Sequence, residues 1–324
     1  MKGLAVITTL ALTAASPVSA QSLEPVAQPP VFRSGASLVA LNVTVTGPDK
    51  RFVTGLEAED FAVYEDGIQQ DVQFFESSAV PIDLIVLIDT SSSMRHRMPM
   101  VHEAALGFIK TLRSADRAAV VVFNDTVKVV QGLTSDRDLL ESAILGTVAQ
   151  GGTALHNALY VALKQFGRGA RDSSNVRRQA LAVLSDGEDT GSLISFDDVL
   201  ELTQKSGVTI YPIALTTEQE PRSPSGARYF SQAQYAMRKL AQDTGAQAFF
   251  PSKIHELSGI YAAIAEELSY QYSIGYAPTN AHHDGRFRRI SVRVTTRPEL
   301  RPRARTGYIA AVKTAAVDQG GEIR

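Results

Sequence analysis

The sequence predicts an α/β fold: a doubly wound, mostly parallel, Rossmann-like sheet, with a small β module formed by the N- and C-terminal flanks. Two patterns predict it. Continuous apolar runs alternate with amphipathic helical stretches through the middle of the chain, as in a sheet covered by helices on both faces. On either side, apolar residues recur at every second position, which is typical of half-buried strands.

The composition sets broad limits on the protein class. The chain has 324 residues, of which 44% are apolar and 20% are charged, so wholesale disorder, collagen and coiled coil are excluded. The length suits one large domain with a smaller addition. The formal net charge of −2 argues against a general nucleic-acid binder, and the absence of cysteine removes disulfides and thiolate metal sites.

Residues 1–20 predict a secretory signal peptide. Lys2 supplies a positive start, residues 4–15 are uncharged and mostly apolar, and residues 18–20 (Val-Ser-Ala) are small enough for cleavage. A membrane helix needs about 20 apolar residues, so this run is too short to span a bilayer, and no later segment is long enough. We therefore expect cleavage after Ala20 and a secreted or periplasmic protein without a transmembrane segment in the mature chain.

The N-terminal flank predicts a loose linker followed by β structure. Residues 21–36 are polar and Pro-rich, as in a linker, and residues 37–80 form the predicted N-terminal β module. Apolar residues alternate between positions 39 and 45, which predicts a strand. A second strand at 61–64, an Asp-Gly turn and apolar residues at 72 and 74 predict a β-hairpin.

Residues 81–268 form the predicted α/β domain. Its continuous apolar runs, each read as a strand buried on both faces, are residues 84–88, 118–123, 180–184 and 208–215. Its helical stretches are residues 101–112, 155–166 (ended by Gly167), 233–244 and 254–268. Because strands and helices alternate, the sheet is expected to be doubly wound.

The C-terminal flank returns to a period of two. Residues 269–310 are predicted as strands that pack with the N-terminal module, and residues 311–324 as a tail. One strand face carries Tyr270, Tyr272, Ile274 and Tyr276, and another carries Ile290, Val292 and Val294. Residues 21–80 hold three basic and nine acidic residues, a net of −6, whereas residues 283–324 hold ten basic and four acidic residues, a net of +6. Burial of apolar faces should dominate over this screened attraction; the alternative is two unrelated tails.

Oxygen-bearing side chains gather where the predicted strands end, at the edge where open α/β sheets bind ligands. They are Asp89, Ser91 and Ser93, in a D-x-S-x-S pattern after the first run, Thr153 before a helix, and Asp186 after the third run. Hard oxygen ligands suit Mg²⁺, Mn²⁺ or Ca²⁺ rather than Zn²⁺ or Cu²⁺. Two carboxylates neutralise a divalent ion, and Gly151 and Gly152 are expected to let the backbone approach it.

This combination of motifs resembles the metal-ion-dependent adhesion site of von Willebrand factor A (vWA) domains, over the whole of residues 81–268. The resemblance implies that Ser91, Ser93 and Thr153 coordinate the ion, preferably Mg²⁺, while Asp89 and Asp186 bind it directly or through water. It also implies that an Asp or Glu of a protein partner completes the coordination shell. It further suggests that the last helix, residues 254–268, shifts when the site is occupied.

The flanks carry a narrower resemblance, to vWA-related secreted proteins of acidobacteria. The motifs that carry it are Asp60-Phe61-x-Val63-x-Glu65-Asp66-Gly67 with Gln70 and Phe74 after it, Tyr272-x-Ile274-Gly275-Tyr276-x-Pro278, Asp284-Gly285-Arg286-Phe287-Arg288 and Gly307-Tyr308. The similarity covers residues 31–309 and implies little about biological role.

The sequence favours a binding protein over an enzyme. No G-x-S-x-G elbow, P-loop or H-E-x-x-H motif is present, so we predict no catalytic residue and no organic cofactor. The alternatives are a metal-dependent hydrolase and a structural assembly subunit whose metal only stabilises the site loops. A simpler interpretation of the Asp and Ser residues is capping of the next helix. Glu188 and Asp189 are further candidates for supporting the ligands or contacting a partner.

Overall fold

The computed structural model describes residues 38–77, 80–169, 177–185, 188–215 and 232–312. Its strands are β1 (Val39–Thr46), β2 (Phe61–Glu65), β3 (Ile68–Gln70), β4 (Val72–Glu76), β5 (Ile82–Asp89), β6 (Arg117–Phe123), β7 (Val127–Thr134), β8 (Arg178–Ser185), β9 (Thr209–Ala214), β10 (Tyr272–Tyr276), β11 (Phe287–Val294), β12 (Arg301–Arg303) and β13 (Gly307–Ile309). Its α-helices are α1 (Met98–Thr111), α2 (Arg137–Leu145), α3 (Leu155–Gly169), α4 (Phe196–Ser206), α5 (Gln232–Thr244) and α6 (Leu257–Ser269). The predicted signal peptide (1–20), the linker (21–36) and residues 313–324 of the tail lie outside the described residues.

A five-stranded sheet in the order β7-β6-β5-β8-β9 forms the centre of the α/β domain. Strand β5 pairs in parallel with β6 and β8, and β8 pairs in parallel with β9, whereas β7 is antiparallel to β6. Every residue of β5 is buried, as expected for an inner parallel strand. The doubly wound, mostly parallel sheet is therefore confirmed, with one antiparallel edge strand that the sequence analysis did not predict.

Helices cover both faces of this sheet. Alternate side chains of β5 pack into two separate cores. Leu84, Val86 and Ile88 lie in the core on one face of the sheet, and Ile85 and Leu87 lie in the core on the other. The first core takes in side chains of α1, α2 and α6, and the second those of α3, α4 and α5. Each fully buried side chain of this size contributes about 1.5–3 kcal/mol, so the two cores hold the carboxyl ends of the strands in fixed positions.

The two flanks of the chain build a β-sandwich together. One sheet has the order β12-β1-β10-β4 and the other has the order β13-β11-β2-β3, so each contains strands from both flanks. The core between them is apolar and includes Leu41, Val63, Tyr272, Ile274 and Ile290. The prediction of one β module from both flanks is thus confirmed, and the alternative of two unrelated tails is wrong.

The predicted hairpin pairs differently from expectation. Strand β2 turns through Asp66 and Gly67, which have φ values of 48° and 86°, into the short strand β3. The apolar residues at Val72 and Phe74 belong to β4, which pairs with β10 in the opposite sheet. The Asp-Gly turn was therefore placed correctly, but the apolar alternation beyond it marks a strand that crosses to the other layer.

Among the boundaries that differ from the prediction, two have a clear physical reason. Helix α3 continues past Gly167 to Gly169, because an isolated glycine weakens a helix without ending it. Strand β10 begins at Tyr272, and Tyr270 is 43% exposed, with its ring centroid 5.8 Å from that of Phe52. Tyr270 therefore does not share the buried face of the strand.

A buried polar cluster lies between the last helix and the sandwich. Glu267 of α6 is 3% exposed and accepts hydrogen bonds from the hydroxyls of Tyr211 (3.0 Å) and Thr44 (3.4 Å). Arg303 of β12 forms an ion pair of 2.5 Å with the same carboxylate. The basic C-terminal flank therefore contacts two parts of the protein, the α/β domain and the acidic N-terminal flank.

Within the part of the chain that is described, no helix has the length and apolar character needed to cross a bilayer.

Candidate metal site

Asp89 ends strand β5 at the carboxyl edge of the sheet, and its side chain is fully buried. Its Oδ1 accepts a hydrogen bond of 2.8 Å from the Ser91 N–H, and its Oδ2 accepts one of 2.6 Å from the Ser185 hydroxyl. Charge-assisted bonds of this kind fix the orientation of a carboxylate. The Asp89 carboxylate is therefore held in one orientation at this edge of the sheet.

Ser91 and Ser93 place two hydroxyl oxygens side by side. The short 3₁₀ turn Ser92–Met94 brings Ser91 Oγ to 3.0 Å from Ser93 Oγ. Ser91 is buried, whereas Ser93 is exposed. Neighbouring ligands of an octahedral Mg²⁺ ion are about 3 Å apart, since each lies about 2.0–2.1 Å from the metal at a right angle to the next. The hydroxyl pair therefore fits two adjacent positions around such an ion.

Capping of the next helix does not explain these serines. Helix α1 begins at Met98 with Arg97 as its N-cap, and the Arg97 side chain makes no capping hydrogen bond. Ser91 is the N-cap of the 3₁₀ turn, but its hydroxyl makes no capping hydrogen bond there. The Ser91 hydroxyl therefore does not cap this turn, and neither serine is the N-cap residue of α1.

The loop that carries Thr153 is bonded directly to the Asp89 loop. The Ser92 N–H donates to the Gly151 carbonyl at 3.0 Å, and the Gln150 N–H donates to the Thr90 carbonyl at 2.7 Å. Thr153 itself is buried, and its N–H donates to the hydroxyl of Thr190 at 3.1 Å. Two of the three predicted loops thus meet through main-chain hydrogen bonds, and Thr153 joins them to the loop that follows β8.

Asp186, the fifth predicted ligand, lies outside the described residues together with Gly187. Its neighbour Ser185 ends β8 and bonds to Asp89. Metal ligation by Asp89, Ser91, Ser93, Thr153 and Asp186 remains a prediction.

The turn after β6 contributes a residue that the sequence analysis missed. Asp125 Oδ1 accepts a hydrogen bond of 2.8 Å from the Gly152 N–H. A Cβ atom added at Gly152 would lie 2.5 Å from this oxygen, so the carboxylate occupies the space that a side chain would need. The glycine pair therefore makes room for Asp125, which is a different reason from the predicted approach of the backbone to an ion. Asp125 lies two residues after the predicted strand 118–123, so the sequence could have placed it at the carboxyl edge of the sheet, although not in contact with Gly152.

Asp189 supports a helix, and Glu188 remains on the surface. The Asp189 carboxylate accepts hydrogen bonds from the His156 N–H (3.2 Å) and the Ser192 hydroxyl (2.6 Å), at the first turn of α3. Such a bond satisfies an N–H that has no partner within the helix. Glu188 is exposed and lines a cleft of about 500 Å³ beside Thr190, together with Tyr235 of α5.

The donor set suits a hard cation. Among the described residues, no group of three or more His, Cys, Asp or Glu side chains is placed to hold a metal ion. The oxygens brought together here come from hydroxyls and one carboxylate, a set suited to Mg²⁺, Mn²⁺ or Ca²⁺. The residues present therefore fit a site for one hard divalent ion.

Comparison with known families identifies the α/β domain. The von Willebrand factor type A domain profile matches residues 83–263. The uncharacterized protein sll0103 of Synechocystis is 31% identical over 112 residues, which is 34% of this chain and 26% of that protein. The chain therefore spans about a quarter of the length of this curated relative.

Two solved structures are similar to this chain at low sequence identity. A von Willebrand factor type A protein from Catenulispora acidiphila is 16% identical, with a TM-score of 0.49, over 90% of this chain and 78% of that one. Proximal thread matrix protein 1 from the mussel byssus, described with a zinc-occupied MIDAS motif, is 19% identical, with a TM-score of 0.47. That similarity covers 63% of this chain and 49% of the mussel protein.

Proposed function

The chain belongs to the von Willebrand factor type A domain family, and on this basis we propose that it is a secreted or periplasmic binding protein that uses a divalent cation to capture an acidic group of a protein partner. Its role is then adhesion or assembly. Domains of this family are typically adhesion or assembly modules and not enzymes.

The ligands in this proposal are Asp89, Ser91, Ser93, Thr153 and Asp186. The carboxylates of Asp89 and Asp186 balance the charge of a divalent ion, and the hydroxyls add neutral donors. A bound Mg²⁺, or Mn²⁺ or Ca²⁺ in its place, supplies a coordination position for an outside Asp or Glu. Asp89, held by Ser185, and the serine pair keep the donor oxygens in position before a cation arrives.

One observation carries the proposal: hydrogen bonds join the Asp89 loop to the Thr153 loop and to Ser185, so residues far apart in sequence meet at one edge of the sheet. The Ser91 and Ser93 hydroxyls, 3.0 Å apart, lie within this cluster. The hydroxyls add no negative charge beyond that of the two carboxylates, so a partner carboxylate meets a nearly neutral site, whereas further acidic ligands would repel it.

The proposed location outside the cytoplasm rests on the predicted signal peptide, residues 1–20. It is tested by expressing the full chain with a C-terminal tag and determining the N-terminal residue of the exported protein. Processing after Ala20 supports the proposal, and retention of an intact N-terminus in the cytoplasmic fraction contradicts it.

Partner capture is tested with immobilised protein and the native extracellular fraction, in MgCl₂ and in EDTA. Wild type should retain a protein that EDTA releases, and Ser93→Ala should retain much less, because it removes one donor oxygen. Ser258→Ala, an exposed serine on α6, is the matched control and should behave as wild type. Capture that is equal in MgCl₂ and in EDTA contradicts the proposal.

The two alternatives give different results. A metal-dependent hydrolase should turn over generic phosphate or carboxylate esters in MgCl₂, whereas the binding protein should not. A structural subunit should lose thermal stability on Asp186→Ala while keeping every partner, whereas the binding protein should lose its partner and keep most of its fold.

A further inference from the structure

The turn between β6 and β7 holds the main chain on both sides of Thr153. Asp125 Oδ1 accepts a hydrogen bond of 2.8 Å from the Gly152 N–H, and the Asn124 carbonyl accepts one of 2.8 Å from the Ala154 N–H. The turn is itself ordered, because Asn124 Oδ1 accepts a hydrogen bond of 2.9 Å from the Thr126 N–H. Thr153 therefore lies between two residues that this turn holds.

The Asp125 carboxylate lies where a side chain at position 152 would begin, so any residue other than glycine there would require the carboxylate to move. A Cβ atom there would lie 2.5 Å from Asp125 Oδ1, whereas the nearest atom outside Asp125, the Thr190 hydroxyl oxygen, would be 3.5 Å away. At Gly151 a Cβ atom would clash with the same carboxylate, and a φ of +75° disfavours other residues in any case. At position 152 only Asp125 would be in close contact with an added Cβ atom. At position 151 both Asp125 and the positive φ of the glycine disfavour a side chain.

We infer that Asp125 is a positioning residue for the cation site. Its carboxylate holds the turn of residues 151–153 in place. The Ser92 N–H of the Asp89 loop donates to the Gly151 carbonyl of this turn. By holding the turn, Asp125 presents the Thr153 hydroxyl to the ion. Asp125 is exposed, so its charge is screened by solvent and its main effect is geometric. The inference rests on the proposed function, because it gives Asp125 a role only where a cation binds.

The test measures Mg²⁺ binding to the whole protein by isothermal titration calorimetry. Asp125→Ala should raise the Kd for Mg²⁺ about 10–100-fold, the usual effect of removing a group that orients a metal ligand. Asp125→Asn keeps an acceptor oxygen for Gly152 and should raise it less. Glu141→Gln, which removes one exposed negative charge from α2, should change the Kd less than about twofold.

The outcomes separate this inference from the proposed function. Wild type that takes up no Mg²⁺ overturns both. Wild type that binds Mg²⁺, with Asp125→Ala binding it equally well, overturns only the role of Asp125. Melting of each metal-free variant shows whether it is folded at the temperature of the titration, since a purely structural role would lower the Tm and leave the Kd unchanged.

A double-mutant cycle at Gly152 gives a second readout that does not depend on Asp125→Ala alone. Gly152→Ala in the wild-type background should push Asp125 aside and raise the Kd to a similar extent. In the Asp125→Ala background the clash is gone, so the same substitution should add little. If Asp125→Ala fails to fold, Gly152→Ala and Asp125→Asn decide the question: an unchanged Kd in both overturns the inference.

Discussion

The Ser185 hydroxyl donates a hydrogen bond of 2.6 Å to Oδ2 of Asp89, which joins the carboxyl ends of two neighbouring parallel strands. Both side chains are fully buried. The Asp89 carboxylate therefore has a fixed orientation, in which its Oδ1 accepts a hydrogen bond from the Ser91 N–H. This hydrogen bond brings the carboxyl end of β8 into the candidate site.

Ser185→Ala should destabilise the protein by about 1–3 kcal/mol, because a buried carboxylate loses a hydrogen bond that water cannot replace. Urea unfolding at pH 7 measures this change. Ser195→Ala is an informative comparison, since Ser195 is exposed and caps α4, and its loss should cost about 1 kcal/mol. A Ser185→Ala variant as stable as wild type would show that Asp89 does not depend on this bond.

Asp89→Asn should abolish stabilisation of the protein by Mg²⁺. A cation that binds only the folded state adds RT ln(1 + [Mg²⁺]/Kd), about 2.7 kcal/mol when Mg²⁺ is at 100 times its Kd. Wild type should therefore melt at a higher temperature in MgCl₂ than in EDTA, and Asp89→Asn should melt at the same temperature in both. The prediction fails if the variant retains the full Mg²⁺-induced rise in Tm.

The lowered pKa of Asp83 makes the free energy of unfolding depend on pH in acid. Burial raises the pKa of this carboxyl, but hydrogen bonds and charge from Arg117 and Arg177 outweigh burial and lower it below its ordinary value of 3.8. Because the folded pKa is the lower one, the contribution of Asp83 is present above pH 3.8 and is lost as the pH falls through the folded pKa. Acid should therefore weaken the wild type in this range.

Asp83→Asn removes this dependence. The variant should be about 2 kcal/mol less stable than wild type at pH 7, less than for a fully buried pair because Arg117 is partly exposed. The difference should shrink below pH 3.8. Urea unfolding at pH 7 and pH 3 measures it, and a difference that is the same at both pH values contradicts the assignment.

Glu267 and Glu266 provide a matched pair at the end of α6. Glu267 is buried against Arg303 and Tyr211, whereas Glu266 is exposed. Glu267→Gln should destabilise the protein by about 2 kcal/mol, below the 3–5 kcal/mol typical of a fully buried pair because Arg303 is partly exposed. Glu266→Gln should change stability by less than about 0.5 kcal/mol. If the two variants lowered the free energy of unfolding equally, the buried cluster around Glu267 would not stabilise the contact between α6 and the sandwich.

The features predicted correctly are those that a single apolar pattern defines. The fully apolar run of β5 identifies an inner parallel strand, and the end of that run locates Asp89 at the carboxyl edge. Strand β7 was missed because it lies at the sheet edge and is mostly half-buried or exposed, so its sequence lacks an uninterrupted apolar run.

The features that were missed depend on contacts between distant segments. Asp125 gains its role only when the Gly152 loop packs against it, and nothing in the local sequence near Asp125 specifies that contact. Likewise, Arg303 pairs with Glu267, and net charges of the flanks cannot identify that partner. Helix α4, in contrast, carries a readable start signal in Ser195 and Asp198, which form a capping box that the sequence analysis overlooked.

The most direct test of the central claim is to count bound Mn²⁺ by electron paramagnetic resonance, in which free and bound ions give different signals. Wild type should bind one Mn²⁺ per chain and release it when excess MgCl₂ is added, whereas Asp89→Asn and Ser93→Ala should bind far less. Wild-type protein that binds no Mn²⁺, or variants that bind as much as wild type, would contradict a cation site built on Asp89, Ser91, Ser93, Thr153 and Asp186.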